Sequence, residues 1–162
     1  MIVACGFDHA GFPLKREVLE VVRETGHEPL DLGTDSTDPV DYPDIALAVS
    51  RAVLSGDADR GVLCCGSGAG VSVAATKVTG IRAATVSDGY TAHQAVEHDD
   101  VNILCMGARV LGVELAADIL RAYLGAEFSG AERHRRRLAK IDAIERGGLD
   151  ADLGSIDVEA GA

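Results

Sequence analysis

Gly61-Val-Leu-Cys-Cys-Gly-Ser-Gly-Ala-Gly-Val-Ser-Val-Ala-Ala75 is the stretch that decides the fold. A short apolar run ends in two cysteines, glycines follow at positions 66, 68 and 70, and an alanine-rich segment of helical character comes next. That order describes a buried parallel strand turning into a helix across a glycine loop. Such a turn leaves several backbone N–H groups without helical partners, with the positive end of a helix dipole behind them. A phosphate, or an oxyanion formed during a reaction, is held at such a place. Cys65 stands at the mouth of the loop, where an environment that holds anions also favours a thiolate able to act as base or nucleophile.

The loop departs from the motifs it most nearly imitates. A phosphate-binding P-loop needs Gly-Lys followed by Ser or Thr, and Gly70 is followed by Val71. A dinucleotide fingerprint needs its third glycine where Val71 stands, although Asp88 lies about twenty residues on, as that motif asks. A cysteine-phosphatase loop would carry an arginine near Val71 and Ser72. A tight turn that serves only helix–strand packing is the alternative without a ligand.

Working outward, strand-like and helix-like segments alternate. Ile2–Cys5, Glu28–Leu32, Val62–Cys65, Ile81–Val86 and Asn102–Met106 read as strands. Helices are expected over Pro13–Thr25, with Gly26 as its stop, over Ile45–Leu54 after a loop rich in Asp, Ser, Thr and Pro, and over Val113–Leu124. Further helices should follow the third and fourth strands. The pattern predicts an α/β fold: a doubly wound, Rossmann-like, five-stranded parallel sheet flanked by helices, with a C-terminal helix. Function in such folds gathers at the strand ends. Cys5-Gly6, Cys65-Gly66 and Cys105-Met-Gly107 each close a strand there. A three-cysteine metal site with His9 is one reading of that repetition, and small buried cysteines near a crowded switch point are the other.

A chain of 162 residues fits one domain, expected over 1–147, with an acidic extension over 148–162. The net charge of −11 argues against nucleic acid. No apolar run approaches membrane-spanning length, and Met1-Ile-Val-Ala leads into a strand rather than a basic leader, so a cytoplasmic protein without a membrane partner is expected. The four cysteines show neither metal-ligand spacing nor a secreted framework, which predicts reduced thiols. Against the acidic background, Arg133, Arg135, Arg136, Arg137 and Lys140 form a basic knot suited to a small anion.

That knot lies on the last helix, for which Ser129-Gly-Ala-Glu132 has the form of a capping box. An apolar stripe through Ile141 and Ile144, with Leu138 beside it, extends back onto Arg137 and Arg133. Two guanidinium groups on that inward side could clamp a phosphate; a solvated basic face is the alternative. Among the histidines, His93 is placed to pair with Glu97. His98 ends a helix beside Glu97, Asp99 and Asp100, which suits either a proton donor or a C-terminal cap. Asp8-His9 follows the first strand and puts an acid and an imidazole at the same edge as Cys65.

Together Asp8-His9-Ala-Gly11, Asp41-Tyr-Pro43, Cys65-Gly-Ser-Gly-Ala-Gly70, Gly80-Ile-Arg-Ala83, His98, Gly107-Ala-Arg109 and Arg133-His134…Arg137 resemble the type B ribose-5-phosphate isomerase family. That family also includes galactose-6-phosphate, allose-6-phosphate and tetrulose-phosphate isomerases. The resemblance runs from residue 1 to about 146. It implies an aldose–ketose isomerase, without metal or cofactor, that moves a proton between carbons 1 and 2 of a small phosphorylated sugar through a cis-enediolate. Ribose 5-phosphate and ribulose 5-phosphate are the implied pair, with D-erythrulose 4-phosphate, allose 6-phosphate or galactose 6-phosphate as alternatives.

By the same resemblance Cys65 is the base. A second branch of the family uses a glutamate where this chain has Val71. Gly66, Ser67, Gly68, Ala69 and Gly70 form the anion hole, and His98 opens the sugar ring. Asp8 and His9 contact the substrate, and Arg109, Arg133 and Arg137 hold its phosphate. A homodimer or homotetramer with the site shared across the interface is implied. Asp99, also at a substrate-contacting position, stands where the family usually has Asn; the exchange removes an N–H donor and adds charge. Ser67 replaces the usual Thr, and Thr76-Lys77 the frequent Asn-Lys. Readings of another class are a nucleotide-binding module, which needs the fold and loop but not Cys65, His98 and the arginine pair together, and a redox-sensing protein that uses the cysteines alone.

Overall fold

The computed structural model describes residues 1–153; the end of the expected acidic extension, residues 154–162, lies outside them. Two compact units are present, Met1–Phe128 and one that begins at Ser129. In the first, β1 (Ile2–Phe7), β2 (Glu28–Asp31), β3 (Arg60–Cys65), β4 (Ala83–Thr85) and β5 (Ile103–Gly107) form one parallel sheet in the order β2-β1-β3-β5-β4. Its helices are α1 (Lys15–Glu24), α2 (Tyr42–Ser55), α3 (Ala69–Ala75), α4 (Gly89–Asp99) and α5 (Val113–Gly125).

The period-two alternation of the strands sorts two cores. Val3, Cys5, Phe7, Val62, Cys64, Leu104 and Met106 pack with α1, α4 and α5. Ala4, Leu63, Cys65, Ile103 and Cys105 pack with α2 and α3 on the other face. The connections β1→β2 and β4→β5 step one way along the sheet through the first helical layer. Those from β2 to β3 and from β3 to β4 step the other way through the second, as one constant crossover hand requires. Adjacent strands β1 and β3 therefore send their chains to opposite faces and open a crevice beyond their C-terminal ends.

Several boundaries differ from the sequence reading. The first helix is preceded by a 3-10 turn at Phe12–Leu14, with Pro13 in its first positions. α2 begins at Tyr42, three residues early, because Pro43 occupies the first turn, where its missing N–H costs nothing. β4 keeps only three of the six expected residues. Gly26 does stop α1, at φ 79°.

Lys15 ties the start of α1 to the loop after β2. Its Nζ lies 2.8 Å from Asp31 Oδ2 and 2.7 Å from Asp35 Oδ1, and it donates to Thr34 O at 3.0 Å. Burial works against its charge, but the two carboxylates outweigh burial and hold its pKa above the usual lysine value. The stabilisation is complete below the unfolded pKa, about 10.4, and disappears as pH climbs through the raised folded value. Lys15→Met should lower stability by about 1–2 kcal/mol at neutral pH, discounted because Asp35 is exposed. Urea melts should show the two proteins converging above about pH 10.4; an equal gap at pH 11 would contradict this account.

In the second unit, α6 (Glu132–Gly147) begins after Ala131, and the expected capping box is not formed. Ser129 Oγ instead accepts from Ala131 N at 3.3 Å and lies 2.6 Å from His134 Nδ1. The stripe expected to face inward is open, with Ile141 and Ile144 44% and 48% exposed.

Candidate active site

β3 carries Cys65 to the crevice and ends there. Gly68, at φ 81° and ψ −22°, reverses the chain into α3 through a left-handed conformation that glycine adopts without strain. Its N–H donates to Cys65 Sγ at 3.1 Å. The first α-helical bond of α3 runs from Ser72 N to Gly68 O at 3.2 Å, so the amides of Ala69, Gly70 and Val71 have no intrahelical acceptor. The loop sits tightly on β5: a Cβ on Gly107 would lie 2.6 Å from the Ser67 carbonyl carbon. Ala108 N and Arg109 N donate to the carbonyls of Cys65 and Gly66 at 2.9 and 3.0 Å, which fixes the second wall of the crevice.

The turn after β1 forms the opposite wall. Asp8 is buried, and its Oδ1 accepts from Ala10 N and Gly11 N at 2.9 and 2.7 Å. This carboxylate thus organises its own loop. Gly11 is required there, since a Cβ would lie 2.0 Å from the Cys64 carbonyl oxygen. His9 Nδ1 accepts from Val40 N at 3.2 Å. That bond places the proton of a neutral imidazole on Nε2, the nitrogen left to meet a ligand.

Asp8, His9, Ala10, Tyr42, Cys65, Gly66, Ser67, Gly70, Arg109 and Val110 line one cleft of about 390 Å³, near the small end of the roughly 300–1,000 Å³ usual for ligand sites. Tyr42 was not among the residues singled out as candidates for the site. Its ring lies over the loop, 3.2 Å from where a Cβ on Gly70 would be. The available signal was Tyr-Pro directly before an apolar helix, which puts the ring at the first turn of α2. Arg109 is exposed, and its aliphatic stem runs along Gly66.

The cysteines separate cleanly. Cys5 and Cys64 face the core opposite to Cys65 and Cys105, so Cys5, Cys65 and Cys105 do not converge, and no group of metal-ligating side chains forms among the described residues. Burial pushes the Cys5 and Cys105 thiols up to about 12 and the Cys64 thiol well above its usual value. Cys65 alone opens onto the cleft.

His98 and Asp99 do not reach this cleft. α4 leaves the C-terminal end of β4 and runs back along the sheet, so its last turn arrives at the opposite edge. There Asp100, one residue further on, is paired with Arg82, which immediately precedes β4. The length of β3, roughly 16 Å for six residues, separates that edge from Cys65. His93 Nδ1 does pair with Glu97 Oε2, at 3.4 Å. Arg133 and Arg137 belong to α6 in the second unit, both exposed, and Arg133 Nε donates to Nε2 of the buried His134 at 3.0 Å.

Comparison with known proteins agrees with this architecture. The family model for Ribose/Galactose Isomerase matches residues 3–141. Ribose-5-phosphate isomerase B of Escherichia coli K12 is 46% identical over 89% of this chain and 96% of its own length. D-erythrulose-4-phosphate isomerase of Pectobacterium atrosepticum is 39% identical over 79% and 85%. The solved structure of Clostridium thermocellum ribose-5-phosphate isomerase B superposes with a TM-score of 0.87 at 48% identity, covering 90% of this chain and 98% of that one. With the match extending through nearly every element described, the chain belongs to the ribose/galactose isomerase family, the type B ribose-5-phosphate isomerases and their relatives, and is a sugar-phosphate isomerase.

Proposed function

We propose that the chain interconverts ribose 5-phosphate and ribulose 5-phosphate through a cis-enediolate, with the Cys65 thiolate as the base. The observation that carries this reading is Cys65 Sγ, the one thiol open to the cleft, set directly against a glycine loop whose following amides lack helical acceptors. The thiolate takes the proton from carbon 2 of the open-chain aldose and returns it to carbon 1. The negative charge that develops on the two sugar oxygens is met by the amides of the Gly66–Gly70 loop, already oriented before the reaction starts. Backbone amides in this role need no Lewis acid.

His9 Nε2–H is available to a sugar hydroxyl, and Asp8 holds the turn that presents it. Arg109 supplies a cation at the rim for the phosphate; Arg133 and Arg137 complete that role in this reading. His98 opens the furanose ring. Because the first unit carries His98 and Cys65 at opposite edges of one sheet, the two act together only when a second copy supplies one of them. The active species is therefore a homodimer, or a tetramer built from such dimers, in the cytoplasm.

The direct test is conversion of ribose 5-phosphate, followed against D-erythrulose 4-phosphate, allose 6-phosphate and galactose 6-phosphate. Ribose 5-phosphate should be the best substrate, with turnover unchanged after exhaustive EDTA treatment. Preference for another of these sugars would keep the family and overturn the substrate. Loss of turnover on chelation, restored by a divalent metal, would overturn the mechanism.

A further inference from the structure

The segment that ends α4 is held by more than the helix itself. Arg82 N donates to Asn102 Oδ1 at 2.8 Å, Asn102 N donates back to Arg82 O at 3.0 Å, and Asn102 Nδ2 donates to Gly80 O at 2.9 Å. The Arg82 guanidinium then reaches across: Nε donates to Asp100 O at 2.8 Å, and Nη2 pairs with Asp100 Oδ2 at 2.5 Å. Both the carbonyl and the carboxylate of one residue are thus gripped by one planar fork.

The gripped residue has an unusual backbone. Asp100, at φ 47° and ψ 44°, is the one non-glycine residue with positive φ among those described. A residue with a Cβ stays there only when its surroundings hold it. Its own N–H closes α4 on Val96 O at 3.0 Å. The end of the helix, with His98 two residues back, is therefore fixed by contacts that Arg82 makes. Gly80-Ile-Arg-Ala83 is a segment to which the proposed chemistry gives no part, and its arginine side chain is only 25% exposed.

We propose that Arg82 is a positioning residue for His98: by clamping Asp100 in its left-handed conformation, it sets where the imidazole stands when the sugar ring is opened. This rests on the reading of His98 as the ring-opening group. Displacement of a catalytic group by about 1 Å can cost on the order of 10²-fold, so Arg82→Gln should lower turnover of ribose 5-phosphate about 10–100-fold.

The readout that separates positioning from general damage is the wash-in of solvent deuterium at carbon 1 of ribulose 5-phosphate. That exchange begins from an open chain and uses Cys65 without His98. It should stay within about threefold of wild type in Arg82→Gln, and adding Arg82→Gln to His98→Ala should cause little further loss, because the two substitutions remove one function. Asp100→Ala is the second variant, since it deletes the carboxylate that Arg82 grips and, unlike glycine, does not take this conformation unaided; it should show the same split. Should Arg82→Gln fail to fold by circular dichroism, Asp100→Ala decides.

Full ribose 5-phosphate turnover in the folded variants, or exchange falling in parallel with turnover, or losses that multiply with His98→Ala, would each overturn the proposal. Normal ribose 5-phosphate turnover in His98→Ala would remove the ring-opening reading itself and the proposal with it, an outcome distinct from the other three.

Discussion

Cys65→Ser should reduce isomerase turnover by about 10²–10⁴-fold, the usual worth of a general base, while leaving the fold and sugar-phosphate binding in place. Serine keeps an acceptor for the Gly68 amide that now points at Sγ, but its hydroxyl is a far weaker acid than a thiol. Cys64 cannot substitute, because neighbouring strand residues face opposite sides, and its thiol is buried and pushed well above the usual range. The same contrast predicts that iodoacetamide labels one site per chain, slowed by bound substrate, since Cys5 and Cys105 are buried with pKa values raised to about 12. Undiminished turnover in the serine variant, or labelling that ignores substrate, would sink the assignment.

His98→Ala should abolish most turnover of ribose 5-phosphate, again by about 10²–10⁴-fold, yet preserve deuterium wash-in at carbon 1 of ribulose 5-phosphate. The larger effect comes on mixing. If each site takes Cys65 from one chain and His98 from another, a mixed dimer of Cys65→Ser and His98→Ala chains has one site with both defects and one with neither. Random re-association of two nearly inactive proteins should then recover about a quarter of wild-type activity. Mixing without recovery, after exchange of subunits has been verified by mass spectrometry, would put both groups in one chain or His98 out of the reaction.

How much was legible in advance differs by residue. The strand to Cys65 and its loop could be read directly, because an apolar run followed by alternate glycines has few structural solutions. The turn at Asp8-His9 was placed at the correct edge by the same logic. His98 was recognised as a helix end, but its distance from Cys65 follows from topology rather than residue type: a helix leaving the C-terminal end of a strand must return to the other edge. Ser129 misled because His134, five residues on, competes for the hydroxyl that a capping box would use. The early start of α2 was hidden by Pro43, read as the end of a loop when it was the first turn of a helix. Tyr42, although part of the Asp41-Tyr-Pro43 motif, has no role assigned from sequence because an aromatic lying over a glycine leaves no mark in polarity or charge.

The outermost strands have a consequence for how copies of this chain can meet. β2 reads Glu28-Pro-Leu-Asp31, so its free side includes a proline, which has no N–H to offer, between two acids. β4, on the far side, is only three residues long. Neither border gives an incoming strand a ladder to join, and short, charged or proline-bearing borders are how natural sheets resist stacking into fibres. Any self-association of this protein would therefore proceed through helical faces and loops, where side-chain shape selects the partner, rather than through continuation of the sheet, where any extended chain would serve.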